Sequence, residues 1–134
     1  MTAPRTTTPD VREPAVRGRV VMERYDAGRL LECHVTFVDD TARVRPRGEV
    51  DLASVALVAQ RLDDARAAGA TAIVLDLSET TFIDSSGLHL ALGWHERARR
   101  ERFRFALTPG PRPVRRTLEA AGLGAVLTFV SEAP

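Results

Sequence analysis

The sequence predicts an α/β fold: a mostly parallel sheet whose strands alternate with helices on right-handed crossovers, entered through an N-terminal hairpin. Three observations predict it. From residue 32 onward, strand-like runs alternate with runs of helical period, the order that builds a layered parallel sheet. Asp39-Asp40 separates two short β-rich runs, as a hairpin requires. Thr71 to Leu77 is almost continuously apolar, the pattern of a strand covered on both faces. Crossovers between parallel strands share one hand, so successive helices are expected on one side of the sheet.

Taken in order, residues 1–18 are rich in Thr, Pro and Arg, lack an apolar period and are expected to form a flexible tail. Residues 19–31 fit an edge element, with Val20, Val21, Tyr25, Leu30 and Leu31 compatible with a strand or a helix. A single domain is expected over 32–131. Its first strand is Glu32 to Val38 and its second Thr41 to Arg47. In the second, Ala42, Val44 and Pro46 share one face and Arg43, Arg45 and Arg47 the other. Pro46 cannot donate a ladder bond, so this strand should lie at an edge or break there, with Gly48 to Asp51 ending it.

Leu52 to Ala68 reads as a helix with Val55, Leu57, Val58 and Leu62 inward, Asp51 as N-cap and Gly69 as stop. After the Thr71–Leu77 strand comes a helix from Ser85 to Arg100, with Leu88, Ala91, Leu92, His95 and Ala98 at helical spacing and arginines at its end. Trp94 falls on the outer side of that stripe, where it either packs at a rim or contacts a partner. Phe103 to Thr108 is a strand, Pro109-Gly110-Pro111 a loop, Pro113 to Ala121 a helix capped by Gly122, and Ala125 to Val130 a last short strand.

Composition removes several functions. With 134 residues and 44% hydrophobic content the chain fits one cored domain, and at 5% aromatic that core rests on small aliphatics. A net charge of +1 offers no strong field for nucleic acid or membrane. All 19 basic residues are Arg, which excludes lysine chemistry and a phosphate-gripping P-loop lysine. Cys33 is alone, so no internal disulfide forms, as suits a reducing cytosol. No apolar run reaches the roughly 18 residues of a membrane span, and the N-terminus lacks the apolar centre of a secretory signal. A cytoplasmic protein is expected.

The chemistry concentrates at Asp84-Ser85-Ser86-Gly87, between an apolar strand and a helix. Its plainest role is capping, since small oxygen-bearing side chains satisfy free N–H groups at a helix start. A nucleophilic serine needs a base and the small flanks of a nucleophile elbow; here Ile83 and Asp84 precede Ser85, and His89 lacks a third member. His89 and His95 are six residues apart, about 240° around a helix at ~100° per residue, so they do not converge on a metal. The third role is phosphate acceptor. A phosphoserine adds roughly −1.5 to −2 charge. The helix start would favour it by ~0.3–1 kcal/mol while Asp84 opposes it, so the fold should survive modification. In a closed interface the same charge is desolvated, and a cost of only about 3 kcal/mol weakens binding more than a hundredfold.

Gly48-Glu49-Val50-Asp51, Leu75-Asp76-Leu77, Phe82-Ile83-Asp84-Ser85-Ser86-Gly87-Leu88 and the segment Val114 to Leu123 together resemble the STAS domain, and more closely bacterial anti-sigma factor antagonists, over about Glu32 to Val130. The resemblance implies partner switching. The unphosphorylated protein binds an anti-sigma factor, often a serine kinase, and frees a sigma factor. Phosphorylation of the hydroxyl after the motif's Asp, here Ser85 and less readily Ser86, releases it, and a phosphatase resets it. Asp51, Asp84, Ser86, Gly87 and His89 are then expected to meet the partner, with no catalytic residue, no metal and no cofactor, since ATP belongs to the kinase. A non-switching scaffold or small-ligand-sensing module is the alternative. Pro46 and His89 depart from the family's usual apolar residue and Gly.

Overall fold

In a computed structural model of the chain, residues 19–25 and 29–131 are described, with side chains from Leu31 onward. The expected tail over residues 1–18 lies outside the described residues. Among the described residues six strands form: β1 (Arg19–Tyr25), β2 (Arg29–Val38), β3 (Thr41–Val50), β4 (Ala72–Asp76), β5 (Thr80–Ile83) and β6 (Arg104–Thr108). Three helices accompany them: α1 (Val55–Ala67), α2 (Ser85–Glu101) and α3 (Arg112–Ala120). The sheet order is β1-β2-β3-β4-β6, with β5 pairing β3. β1, β2 and β3 meander antiparallel, whereas β3–β4, β4–β6 and β3–β5 are parallel. The described residues of the ambiguous stretch before Glu32 are thus a strand and the beginning of the next.

The two faces of β3 follow the alternation of its sequence. Ala42, Val44 and Pro46 are buried in the core with Cys33 and Phe37 of β2 and Ile73 and Leu75 of β4. Arg43 and Arg47 on the other face reach the carboxylates of Asp76 (2.8 Å) and Glu32 (3.3 Å). Pro46 nevertheless stands in an interior strand, not at an edge. A strand residue presents its N–H and C=O to the same neighbour. The Pro46 carbonyl accepts from the Thr80 hydroxyl at 3.1 Å, so its missing N–H faces the gap between the β4 ladder, which ends at Val44, and the β5 ladder, which starts at Gly48. The ladder to β2 continues through Pro46.

Gly48 does not end β3. It takes φ +121°, which favours glycine, and the register shifts there as β3 turns from β4 to β5. That shift makes room for β5, a strand not expected from the sequence. α1 begins at Val55, three residues later than expected, because Leu52 to Ser54 form a turn closed by Val55 N–H to the Asp51 carbonyl at 2.8 Å.

α2 is rotated from its expected face. Its buried residues are Gly87, Ala91, Trp94 and Ala98, with His95 half-buried. Trp94 is 6% exposed, its ring 6.0 Å from that of Phe103 and 6.1 Å from that of Phe105. Burying the indole removes more apolar area from water than burying an imidazole would, so it takes the inward position. The last strand is also absent. Gly122 at φ +77° leads into a 3-10 turn at Leu123–Ala125, and one parallel bridge, Leu107 to Phe129, is all the pairing that follows among the described residues.

Candidate functional site

The carboxyl ends of β3 and β5 carry the turns into α1 and α2, which is where open parallel sheets gather their functional groups. Asp84 N–H donates to the Val50 carbonyl at 3.2 Å, tying the two turns together.

Asp84, not either serine, is the N-cap of α2. Its backbone is extended (φ −112°, ψ −169°), and its Oδ1 accepts from the N–H groups of Ser86 (2.9 Å) and Gly87 (3.4 Å). The Ser86 hydroxyl donates to the same oxygen. The Leu52 N–H also interacts with this carboxylate. The Ser86 hydroxyl bond, followed by the Gly87, Ser86 and Leu52 N–H groups, holds the Asp84 carboxyl below its ordinary value against the upward push of burial.

Ser85 is left different. It is exposed at the first position of α2, and its hydroxyl makes no hydrogen bond among the described residues. Two side chains with the same chemistry therefore diverge: Ser86 is engaged in the cap and Ser85 is presented to solvent. His89 is exposed four residues further along, on the same side of the helix.

Gly87 fixes how closely this helix start approaches the sheet. A Cβ there would lie 2.5 Å from Ile83 Cγ1, 2.9 Å from Ile83 Cδ1 and 3.1 Å from Val50 Cγ1. Gly87 therefore serves packing and is buried.

Asp51 closes the neighbouring turn. Its Oδ1 accepts from Ala53 N–H at 3.1 Å and Ser54 N–H at 3.2 Å, while Ser54 Oγ donates to the Glu49 carbonyl at 2.6 Å and accepts from Asp51 N–H at 3.0 Å. It caps the turn ahead of α1; the N-cap of α1 itself is Ser54, which makes no side-chain cap bond. Asp51, Asp84, Ser85, Ser86 and Gly87 thus share one end of the sheet.

Two exposed apolar residues close to this site along the chain were not among the expected contacts. Leu52 is 80% exposed in the turn after Asp51, and Phe82 is 49% exposed on β5, three residues before Ser85. Leu52, expected at the start of a helix, does not join the first turn of α1. An apolar residue directly after a turn-forming Asp was the available signal.

Other chemistries find no assembly. His34 is on β2 and bonds Glu32 at 3.2 Å. No cluster of three His, Cys, Asp or Glu side chains that could hold a metal occurs among the described residues. Cys33 is buried, and burial pushes its thiol up to about 12. No described helix is long and apolar enough to cross a membrane.

Comparison with known proteins places this geometry. A family model described as "Mlab, STAS domain" matches residues 33–129. Among solved structures, the unphosphorylated form of the anti-sigma factor antagonist SpoIIAA is 27% identical, covers 75% of this chain and 89% of its own, and superposes with a TM-score of 0.63. The phosphorylated form of the Bacillus cell fate determinant SpoIIAA is 26% identical over 75% of this chain and 92% of its own, with a TM-score of 0.58. An anti-sigma factor antagonist from Mycobacterium paratuberculosis shares the fold over 95% of this chain and 92% of its own at 21% identity, with a TM-score of 0.64. A comparison with curated proteins gives no match. With most of its length matched by the family model and its sheet, helices and turns in the arrangement of these antagonists, the chain belongs to the STAS domain family.

Proposed function

We propose that this protein is an anti-sigma factor antagonist that binds its partner when unphosphorylated and is released when Ser85 carries a phosphate. The observation that carries the reading is the contrast at the start of α2: an exposed hydroxyl without a hydrogen bond at Ser85, beside one committed to the cap at Ser86. SpoIIAA, a similar protein, has been solved in both phosphorylated and unphosphorylated forms.

The chemistry belongs to the partner, an anti-sigma factor that acts as a serine kinase in the cytoplasm, with a phosphatase to reverse it. This chain supplies the acceptor and the docking surface. Asp84 keeps its charge at neutral pH and holds α2 and the Leu52 turn in place. Leu52, in the turn after Asp51, and Phe82, three residues before Ser85 on β5, are exposed and offer apolar contacts, with Asp51, Asp84, Ser86 and His89 as polar ones, while the buried Gly87 sets the position of the helix start. Unmodified, this surface sheds water against the partner. A phosphate at its centre adds roughly −1.5 to −2 charge and must be desolvated to close the same interface.

Incubation of the full chain with the cognate kinase and ATP, followed by mass spectrometry, tests the assignment. Wild type and Ser86→Ala are expected to take up one phosphate and Ser85→Ala none. Equal uptake by Ser85→Ala and wild type would remove Ser85 from its role.

A further inference from the structure

A second surface lies at the amino end of the parallel strands, away from Ser85. β3, β4 and β6 start there side by side, with Thr41 opposite Ala72 and Ala72 opposite Arg104. Two backbone bonds continue that row. Thr71 N–H donates to the Asp40 carbonyl at 2.9 Å, and Arg104 N–H donates to the Thr71 carbonyl at 3.1 Å. The row runs Asp40, Thr71, Arg104, and at about 4.8 Å between adjacent strands its two ends are about 10 Å apart.

The two ends of the row carry opposite charge. The turn between β2 and β3 presents Asp39 and Asp40, and the exit from α2 presents Arg102 and Arg104; all four are exposed. None of these side chains has an ion pair among the described residues. Glu101, next to Arg102 in sequence, is taken by Arg97 at 3.1 Å and Arg66 at 3.6 Å. The last carbonyls of α2 lie beside Arg102, but a helix end carries only about half a negative charge against two guanidiniums. Between the charges the chain enters β4 through Ala67-Ala68-Gly69-Ala70-Thr71, whose side chains are short. Val38, 57% exposed, adds apolar surface beside the Asp39 turn.

We infer that this end docks a second copy of the chain, about a twofold axis perpendicular to the sheet beside Thr71. Such an axis reverses both strand direction and strand order, so β3 of one copy meets β6 of the other. Asp39 and Asp40 of each copy then face Arg102 and Arg104 of the other, as a self-complementary interface requires. A twofold lying in the sheet plane would oppose acid to acid and base to base, so charge selects between the two arrangements. A net charge of +1 sets up little repulsion between copies. An exposed and mostly polar contact of this kind is small and associates weakly. α2 has 17 residues, about 25 Å at 1.5 Å per residue, so Ser85 stays open on both copies. The inference stands whether or not Ser85 is a phosphate acceptor.

Sedimentation equilibrium of the full chain at low and high salt tests it. A dimer is expected at about 0.01 M salt, with association at least about tenfold weaker at about 1 M, where the screening length falls from about 30 Å to about 3 Å. Two charge variants, D39N/D40R and R102N/R104E, place Asn at the two left-handed positions, which it tolerates. Each alone is expected to associate at least about tenfold more weakly than wild type. Their equimolar mixture is expected to recover the dimer, because D40R of one chain faces R104E of the other while the second contact keeps its native charges. Circular dichroism and thermal melts check that each variant folds, and one that does not is replaced by D40R or R104E alone. The inference is overturned by a wild-type monomer at low salt, whether this end is taken by residues 1–18 or by nothing, or by a dimer indifferent to salt. Wild-type association in either folded variant, or a mixture of folded variants that stays monomeric, overturns it equally.

Discussion

Ser85 and Ser86 are neighbours with one chemistry and two environments. Ser86 donates to the Asp84 carboxylate that caps α2, so losing its hydroxyl costs a bond within the cap; Ser85 lends nothing to the fold that its removal would take away. Ser85→Ala is accordingly expected to unfold in urea with a midpoint within experimental error of wild type, while Asp84→Ala loses about 1 kcal/mol, the usual worth of an N-cap. The Asp84 effect depends on pH. Its folded-state value lies below the ordinary 3.8, so its contribution is complete above 3.8 and is lost as pH falls through the lower folded value. The gap between wild type and Asp84→Ala should therefore close in acid. A gap that stayed constant through that range would mean that the carboxylate charge is not what the cap uses.

At the scale of elements, the site depends on how β5 and α2 seat against β3. Gly87 sits where a side chain would collide with Ile83 and Val50, so the gain of about 1 kcal/mol that alanine normally brings to a helix interior is outweighed by overpacking of roughly 1–3 kcal/mol. Gly87→Ala is expected to lower stability and to weaken partner binding by shifting the start of α2. Stability at or above wild type would contradict the packing argument. The sheet below is held by Asp76, which is 4% exposed and accepts from Arg43, from Thr108 Oγ1 at 2.9 Å and from Ser78 N–H at 2.9 Å. Burial raises its carboxyl, but the bonds from Ser78, Arg43 and Thr108 together outweigh it and the net direction is downward. Asp76→Ala leaves a half-buried Arg43 and a buried Thr108 without their acceptor, and about 2–4 kcal/mol of stability is expected to go, read from the urea midpoint at neutral pH.

Over the whole molecule, what the sequence made legible was whatever depends on nearest neighbours along the chain. The faces of β3, the stripe of α1 and the apolar β4 follow from period alone, and the Asp-Ser-Ser-Gly block announced a helix start. What it hid depends on pieces that meet in space. β5 is four residues long and is called into being by the bulge at Gly48. Pro46 is tolerated inside the sheet because two ladders happen to leave a gap beside it. Trp94 turns inward to reach Phe103 and Phe105, which arrive from a later strand. Three capping residues in a row could not be ranked until the extended backbone of Asp84 singled it out. The exposure of Leu52 and Phe82 was likewise invisible until both turns were seen at one end of the sheet. We propose that charge at Ser85 governs association without disturbing the fold. Calorimetric titration of the cognate anti-sigma factor with unmodified and fully Ser85-phosphorylated protein tests it most directly. Affinity is expected to fall by at least about a hundredfold after phosphorylation, with an unchanged circular-dichroism spectrum. Equal affinity of the two forms, or loss of binding accompanied by unfolding, would contradict it.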